Sequence, residues 1–95
     1  MPVDADEALR RATLIRSDPS LRGVTRRNIA EAEDDVLWEY LAPDGDPINE
    51  EDRIQRWNGM GLPPAWEDVW ICPNPRGHIQ ATGRDLKGRL QYRYH

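Results

Sequence analysis

The side chains best suited to binding a nucleic acid lie together near the carboxyl-terminal end, in Gly83–Tyr94 (GRDLKGRLQYRY). Arginine and lysine pair with phosphates, a glutamine amide hydrogen-bonds a base edge, and tyrosine contacts bases, sugars or phosphates. Alternation predicts a strand over Arg89–Tyr94 after a turn at Asp85–Gly88, so the segment would end a two-stranded ribbon that can enter a DNA major groove. The alternative from composition alone is a hairpin whose tyrosines pack on the core and whose arginines keep it soluble.

Charge is distributed in three zones. From Arg76 to the end there are five basic residues and one acid, a net charge of +4. Arg10–Arg27 carries six arginines and one acid (+5), whereas Glu31–Asp68 carries twelve acids and two arginines (−10), and the whole chain has a formal charge of −4. The two basic zones could therefore form one positive face, while the acids in between are typical of a solvated surface.

Length and composition indicate one soluble domain. Ninety-five residues suffice for one modest core, in which four tryptophans replace the absent phenylalanines. The single Cys72 excludes an intramolecular disulfide. We expect no secretory signal and no membrane span, since no apolar run approaches the ~18 residues that a span requires.

The hydrophobic pattern predicts an α+β fold, a small twisted antiparallel β-sheet of about four to six strands with one or two short helices. Residues 17–35 contain few apolar side chains and give no predicted element. The predicted helices cover Asp6–Arg16 and a segment capped by Asn49 and stopped by Gly59 and Gly61. The predicted strands are Val36–Leu41, a return strand at Pro47-Ile48 after the Asp44-Gly45 turn, Asp68–Cys72, His78–Gly83 and Arg89–Tyr94.

Other candidate sites carry weaker signals. Cys72 and His78 are two potential ligands, too few for a metal centre. Glu50, Glu51 and Asp52 are typical of acids in a first helical turn, which favour the helix dipole. We therefore predict no metal site and no cofactor.

A longer sequence pattern runs from Pro63 to Tyr94 and includes the basic hairpin. A Pro-Pro-Ala-Trp segment at Pro63–Trp66 leads into Asp-Val-Trp-Ile, then Gly-His-Ile-Gln-Ala-Thr-Gly-Arg-Asp at Gly77–Asp85 and Lys-Gly-Arg-Leu-Gln-Tyr-Arg-Tyr at Lys87–Tyr94. This run resembles the N-terminal domain of type IB DNA topoisomerases of the bacterial and poxvirus-like group. With weaker upstream matches the resemblance covers roughly residues 22–95, so we expect a DNA-binding domain there and a partly flexible extension over residues 1–21.

The resemblance implies half of a C-shaped clamp around duplex DNA. In this isomerase family a separate catalytic domain nicks and rejoins one strand through a 3′-phosphotyrosine, which relaxes supercoils without ATP. The sequence stops at His95 without that domain, so we expect the chain alone to be inactive. The implied partners are duplex DNA and the catalytic domain of the same enzyme, for a monomeric, cytoplasmic, nucleoid-associated protein with no membrane contact.

The resemblance also assigns the DNA contacts. Gln91, Tyr92 and Tyr94 correspond to the family's major-groove residues, and Lys87 and Arg89 to its backbone contacts. We add Arg84 and Arg93 because they neighbour these positions. Alternation places Gln91 on the face opposite the two tyrosines, so all three meet DNA only if the strand end twists, bulges or lies edge-on.

Two other functions remain open from the residues. One is a protein-interaction or regulatory module that docks a partner through the aromatic hairpin and the acidic segment Glu31–Asp52, since Tyr, Trp and Arg favour interfaces. The other is an RNA-binding sheet that stacks bases on Tyr92 and Tyr94. Salt-insensitive protein binding would favour the first, and a preference for single strands the second.

Overall fold

Five strands and one helix occupy the part of the chain that the computed structural model describes, residues 14–95. The strands form two antiparallel sheets, β1-β2 and β3-β4-β5, so the α+β class is confirmed but the strands do not form the single predicted sheet. No helix in this range is long and apolar enough to span a bilayer. In chain order the elements are β1 (Thr25–Asn28), β2 (Trp38–Leu41), α1 (Glu51–Gly59), β3 (Glu67–Ile71), β4 (Ile79–Arg84) and β5 (Leu90–Tyr94).

The two sheets are joined through the residue that precedes β1. Val24 N donates to Ile71 O at 2.9 Å, and Ile71 N donates to Val24 O at 2.7 Å. Both side chains are fully buried. This reciprocal pair fixes the β1-β2 hairpin against β3, which explains why two small sheets share one core.

Strand β1 was missed because its sequence, Thr-Arg-Arg-Asn, contains no apolar residue. It forms because all four residues pair with β2 and because its arginine side chains have partners nearby in the folded structure. The Arg26 guanidinium lies 3.9 Å from the Trp38 ring centroid and donates to Leu62 O and Pro63 O at 3.3 and 2.6 Å. Burial lowers the pKa of Arg26, and the cation–π contact and hydrogen bonds compensate for the partial desolvation of its charge.

Trp57 lies at the centre of the core, with 1% of its surface exposed. Its ring lies 5.1 Å from that of Tyr40, whose hydroxyl donates to Asn58 Oδ1 at 2.7 Å. The expectation that tryptophans anchor the core is therefore confirmed at this position, where α1 packs against β2. The other members of the buried cluster are Val24, Ile48, Leu62, Val69, Ile71 and Ala81.

Helix α1 begins one residue later than predicted. Glu50, not Asn49, is the N-cap, and it makes no side-chain capping bond. Glu51 and Asp52 lie in the first turn, where carboxylates favour the helix dipole. After Met60 the chain leaves the helix through Gly61, whose φ of +62° suits glycine.

The segment before β1 is bonded to the three-stranded sheet. The helix predicted over Asp6–Arg16 falls mostly outside the described residues, and its last three positions are not helical, with Ile15 bridged to Gly77. Ser17 Oγ donates to Ile79 O at 2.9 Å and accepts from Ile79 N at 2.8 Å, while Ser17 N donates to His78 Nδ1 at 3.0 Å. These bonds hold the segment along the start of β4.

The pairing of β3 with β4 contains a register shift between Glu67 and Trp70, where Asp68 has a φ of 51°. Further along β4, the indole of Trp66 packs on the backbone of Gly83. A Cβ built on Gly83 would lie 2.6 Å from Trp66 Cε3 and 3.0 Å from Cδ2. Glycine is needed at Gly83 because the tryptophan occupies the space of any side chain.

We expect Gly83→Ala to lower the free energy of unfolding by about 1–3 kcal/mol, because Trp66 must move to admit the methyl group. Chemical denaturation measures the loss. Gly59→Ala is the matched control, since its Cβ would meet nothing within 4 Å and helix propensity favours alanine. A Gly83→Ala chain as stable as the Gly59→Ala chain would contradict the close-packing argument.

Candidate nucleic-acid interface

A tight loop, Asp85–Arg89, connects β4 to β5. Gly88 N donates to Asp85 O at 2.9 Å, and Asp85 N donates to Arg89 O at 3.0 Å, which closes the loop at its base. Gly88 has a φ of +76°, which favours glycine at the point where the chain turns back. The hairpin predicted from Gly83–Tyr94 is therefore present, with β5 beginning one residue later than expected.

The Asp85 carboxylate organises this loop. Its Oδ1 accepts hydrogen bonds from Lys87 N at 2.9 Å and Arg89 N at 3.0 Å. Its Oδ2 accepts from Arg89 Nε at 2.8 Å and Gln91 Nε2 at 3.0 Å. Burial alone would raise the pKa of Asp85, but these bonds outweigh it and hold the pKa at about 2.

The two faces of β5 differ as alternation predicted. Leu90, Tyr92 and Tyr94 share the exposed face, and the two tyrosine rings stack with centroids 6.1 Å apart and planes 16° apart. Tyr92 is 45% exposed and Tyr94 63% exposed. The rings therefore present an aromatic surface to solvent, and the alternative in which they pack into the core is wrong.

Gln91 lies on the opposite face and is half-buried. The β4–β5 register runs without a shift from Arg84↔Leu90 to Ala81↔Arg93, so no bulge brings Gln91 to the tyrosine face. However, β5 is the edge strand of its sheet, and no strand in residues 14–95 pairs with its outer side. A ligand that approaches along this edge can contact side chains of both faces.

The basic candidates differ in how far their charges are already paired. Arg89 forms an ion pair with Asp85, and Arg84 Nη1 donates to Gly88 O at 3.0 Å. The Lys87 ammonium has no acceptor among the described residues and lies exposed in the loop. Arg93 Nη1 donates to Met60 O at 2.6 Å, which directs its side chain toward the end of α1.

The second basic zone, Arg10–Arg27, contributes fewer unpaired positive charges than its composition suggests. Arg26 is half-buried against Trp38, and Arg27 forms an ion pair with Glu39. Arg10 and Arg11 lie outside the described residues.

Sequence reasoning missed two features of this region. It treated Asp85 as a turn residue, although its spacing of two, four and six residues from Lys87, Arg89 and Gln91 was a readable sign of a loop-capping carboxylate. It also passed over Leu86, which is 87% exposed at the tip of the loop.

The two weak metal candidates are a buried thiol and a hydrogen-bonded imidazole. Cys72 is buried, and His78 Nδ1 accepts a hydrogen bond from the backbone of Ser17. In residues 14–95 no group of three or more His, Cys, Asp or Glu side chains is placed to hold a metal ion.

Comparison with known proteins places this chain in a family. The model of the family "Bacterial DNA topoisomerase IB, N-terminal domain" matches residues 37–85, just over half of the chain. The chain belongs to this family. The matched part of this topoisomerase IB N-terminal domain runs from the start of β2 to Asp85, so β5 lies just beyond it.

One curated relative is the DNA topoisomerase 1B of Acanthamoeba polyphaga mimivirus, which is 54% identical over 41 residues. The aligned segment is 43% of this chain but only 12% of the viral protein. The topoisomerase IB domain thus spans a small part of the relative's length. No solved structure matches the chain.

We expect the Asp85 carboxyl of this topoisomerase IB domain to titrate near pH 2, well below the ~3.9 of an unperturbed aspartate. A lowered folded-state pKa stabilises the loop fully above about pH 4, and that stabilisation is lost as the pH falls toward 2. Carboxyl NMR shifts, with the amide shifts of Lys87 and Arg89, measure this. In the Asp85→Asn chain the two amides should show no step in this range. A midpoint near 4 would mean that the four hydrogen bonds do not form in solution.

Proposed function

We propose that residues 22–95 form the DNA-binding half of a clamp in a type IB topoisomerase, and that the β4–β5 hairpin contacts duplex DNA. The observation that carries this proposal is the exposed, stacked pair Tyr92 and Tyr94 on an unpaired strand edge beside a basic loop. Large aromatic side chains stacked in solvent mark interaction surfaces. Membership of the topoisomerase IB N-terminal family makes DNA the natural ligand.

The hairpin has suitable dimensions for a major groove. A strand of five residues such as Leu90–Tyr94 extends over roughly 17 Å at about 3.4 Å per residue. The major groove is about 12 Å wide and admits a two-stranded ribbon. An edge-on approach of β5 brings the tyrosines to the groove from one side of the strand and Gln91 from the other.

Asp85 prepares Gln91 to read a base. One N–H of the Gln91 amide is held by Asp85 Oδ2, which fixes the plane of the amide. The other N–H and the carbonyl oxygen remain available. A donor and an acceptor on one amide match the N7 and N6 groups of adenine, which a glutamine contacts in bidentate fashion. In this proposal Asp85 is a positioning residue and Gln91 the contact residue.

The basic groups of the loop supply contacts with the phosphate backbone. The Lys87 ammonium has no acceptor among the described residues. Arg89 forms an ion pair with Asp85, and Arg84 donates a hydrogen bond to Gly88 O. A net charge of −4 limits the attraction of the whole chain for DNA. Binding by the isolated domain is therefore weak and decreases as the salt concentration rises.

In this proposal a separate catalytic domain performs the chemistry. That domain nicks one strand through a 3′-phosphotyrosine and rejoins it, which relaxes supercoils, while the present domain closes the clamp from the other side. Tyr92 and Tyr94, which stack on each other at a strand edge, are contact residues in this proposal, because the nucleophilic tyrosine belongs to the catalytic domain.

We expect Lys87→Ala and Gln91→Ala to weaken binding in different ways, as measured by fluorescence anisotropy with a panel of duplexes. Lys87→Ala should weaken all duplexes alike and reduce the salt slope, d log K/d log [salt], by about 0.9 because one phosphate contact is lost. Gln91→Ala should change the ratio of affinities among duplexes by about 5- to 100-fold, since a bidentate base contact contributes ~1–3 kcal/mol of discrimination.

Equal effects of the two substitutions on every duplex would count against Gln91 as a base-reading residue. A preference for single strands would favour the RNA-binding alternative. Absence of DNA binding together with salt-insensitive binding to a protein would favour the interaction module.

A further inference from the structure

A basic cleft lies at the end of β5 opposite the Asp85–Arg89 loop. It has a volume of about 370 Å³ and lies between the last turn of α1, the turn at Pro75 and the end of β5. Arg56, Arg93, Tyr94 and His95 contribute to its lining. None of its lining side chains is acidic, so the charge contributed by its side chains is positive.

Arg56 contributes a hydrogen-bond donor that has no acceptor. Its Nη1 is buried and makes no hydrogen bond with any residue in the 14–95 range. Burial lowers the pKa of Arg56, and the neighbouring Arg53 adds to that effect. A buried guanidinium N–H without an acceptor is costly, and an anion in the cleft would relieve that cost.

The other walls of the cleft are held in place. Arg93 Nη1 donates to Met60 O at 2.6 Å, which fixes the guanidinium while its remaining N–H groups lack acceptors among the described residues. His95 N donates to His78 O at 3.0 Å, which continues the β4–β5 pairing to the last residue. Gln80 Nε2 donates to Gly77 O at 2.5 Å and holds the turn that forms the far wall.

Arg56 also lines a neighbouring cleft together with Asp52, Arg53, Pro73 and Pro75, and the Asp52 carboxylate partly offsets the lowering of the pKa of Arg56. The guanidinium groups of Arg56 and Arg93 line one cleft that contains no Asp or Glu side chain. They are suited to an oxyanion, because guanidinium N–H groups match phosphate oxygens.

We propose that this cleft binds a phosphate group through Arg56 and Arg93, and that in the complex this group belongs to the DNA backbone. The assignment to DNA rests on the proposed function. Tyr94 belongs both to the cleft and to the stacked tyrosine pair, so the cleft continues the proposed DNA surface. With Lys87 at one end of a strand of roughly 17 Å and Arg56 at the other, β5 can cross a groove of about 12 Å and reach the phosphates on both sides.

The test compares Arg56→Gln with Arg53→Gln in the 95-residue chain. Both remove one positive charge from α1, and both guanidinium groups lie over the Trp57 ring, but Arg53 does not line this cleft and pairs with Glu50. Arg56→Gln should reduce the salt slope on duplex DNA by about 0.9, and Arg53→Gln should leave it unchanged. Arg93→Gln should reduce it similarly, which keeps the test valid if Arg56→Gln proves unstable by circular dichroism.

Inorganic phosphate distinguishes the two sources of the ligand. Titration of the wild-type chain should shift the side-chain Nε–H NMR signals of Arg56 and Arg93, and Arg56→Gln should weaken this binding at least fivefold. Such shifts without any change in the salt slope would overturn the DNA assignment in favour of free phosphate. If phosphate causes no such shifts and the salt slope does not change either, the proposed site itself is overturned. If the wild-type chain does not bind duplex DNA, the proposed function fails, and the phosphate titration still decides whether the cleft binds anions.

Discussion

The candidate interface depends on the carboxylate of Asp85. Four hydrogen bonds converge on it, two from backbone amides of the loop and two from the side chains of Arg89 and Gln91. The loop would otherwise be a flexible connection between two short strands, and both side chains would be free to rotate. Asp85 therefore reduces the positive charge of this basic segment but gives the segment a defined shape. A surface that reads DNA depends more on that shape than on non-specific electrostatic attraction.

The rest of the fold holds that hairpin at the side of a small core. Trp57 and Tyr40 pack α1 against β2, the reciprocal bonds of Val24 and Ile71 join β2's sheet to β3, and β4 carries the connection to β5. The edge of the sheet is thus supported from one side and open on the other. A supported, open edge is suited to a domain that must lie against a large partner without being deformed.

The hairpin and its alternation could be predicted from the sequence because they depend on local chemistry. The sequence shows both Gly88 in the turn and the period-two pattern of Leu90, Tyr92 and Tyr94. Strand β1 could not be predicted, since Arg26 enters a half-buried position only through Trp38 and two carbonyl groups that are distant in sequence. The junction between the two sheets likewise depends on one long-range pair, Val24 with Ile71. The family match ends at Asp85, so the roles of β5 rest on the sequence resemblance and on the geometry, and they remain predictions.

The central claim is that the hairpin is the surface that faces DNA, and an amide NMR titration with a short duplex at low and moderate salt tests it most directly. The account predicts shifts centred on residues 84–94 that diminish as salt is raised, with the core signals of Trp57 and Ile71 unchanged. Shifts centred on the acidic segment 31–52, or no shifts at millimolar DNA, would contradict it.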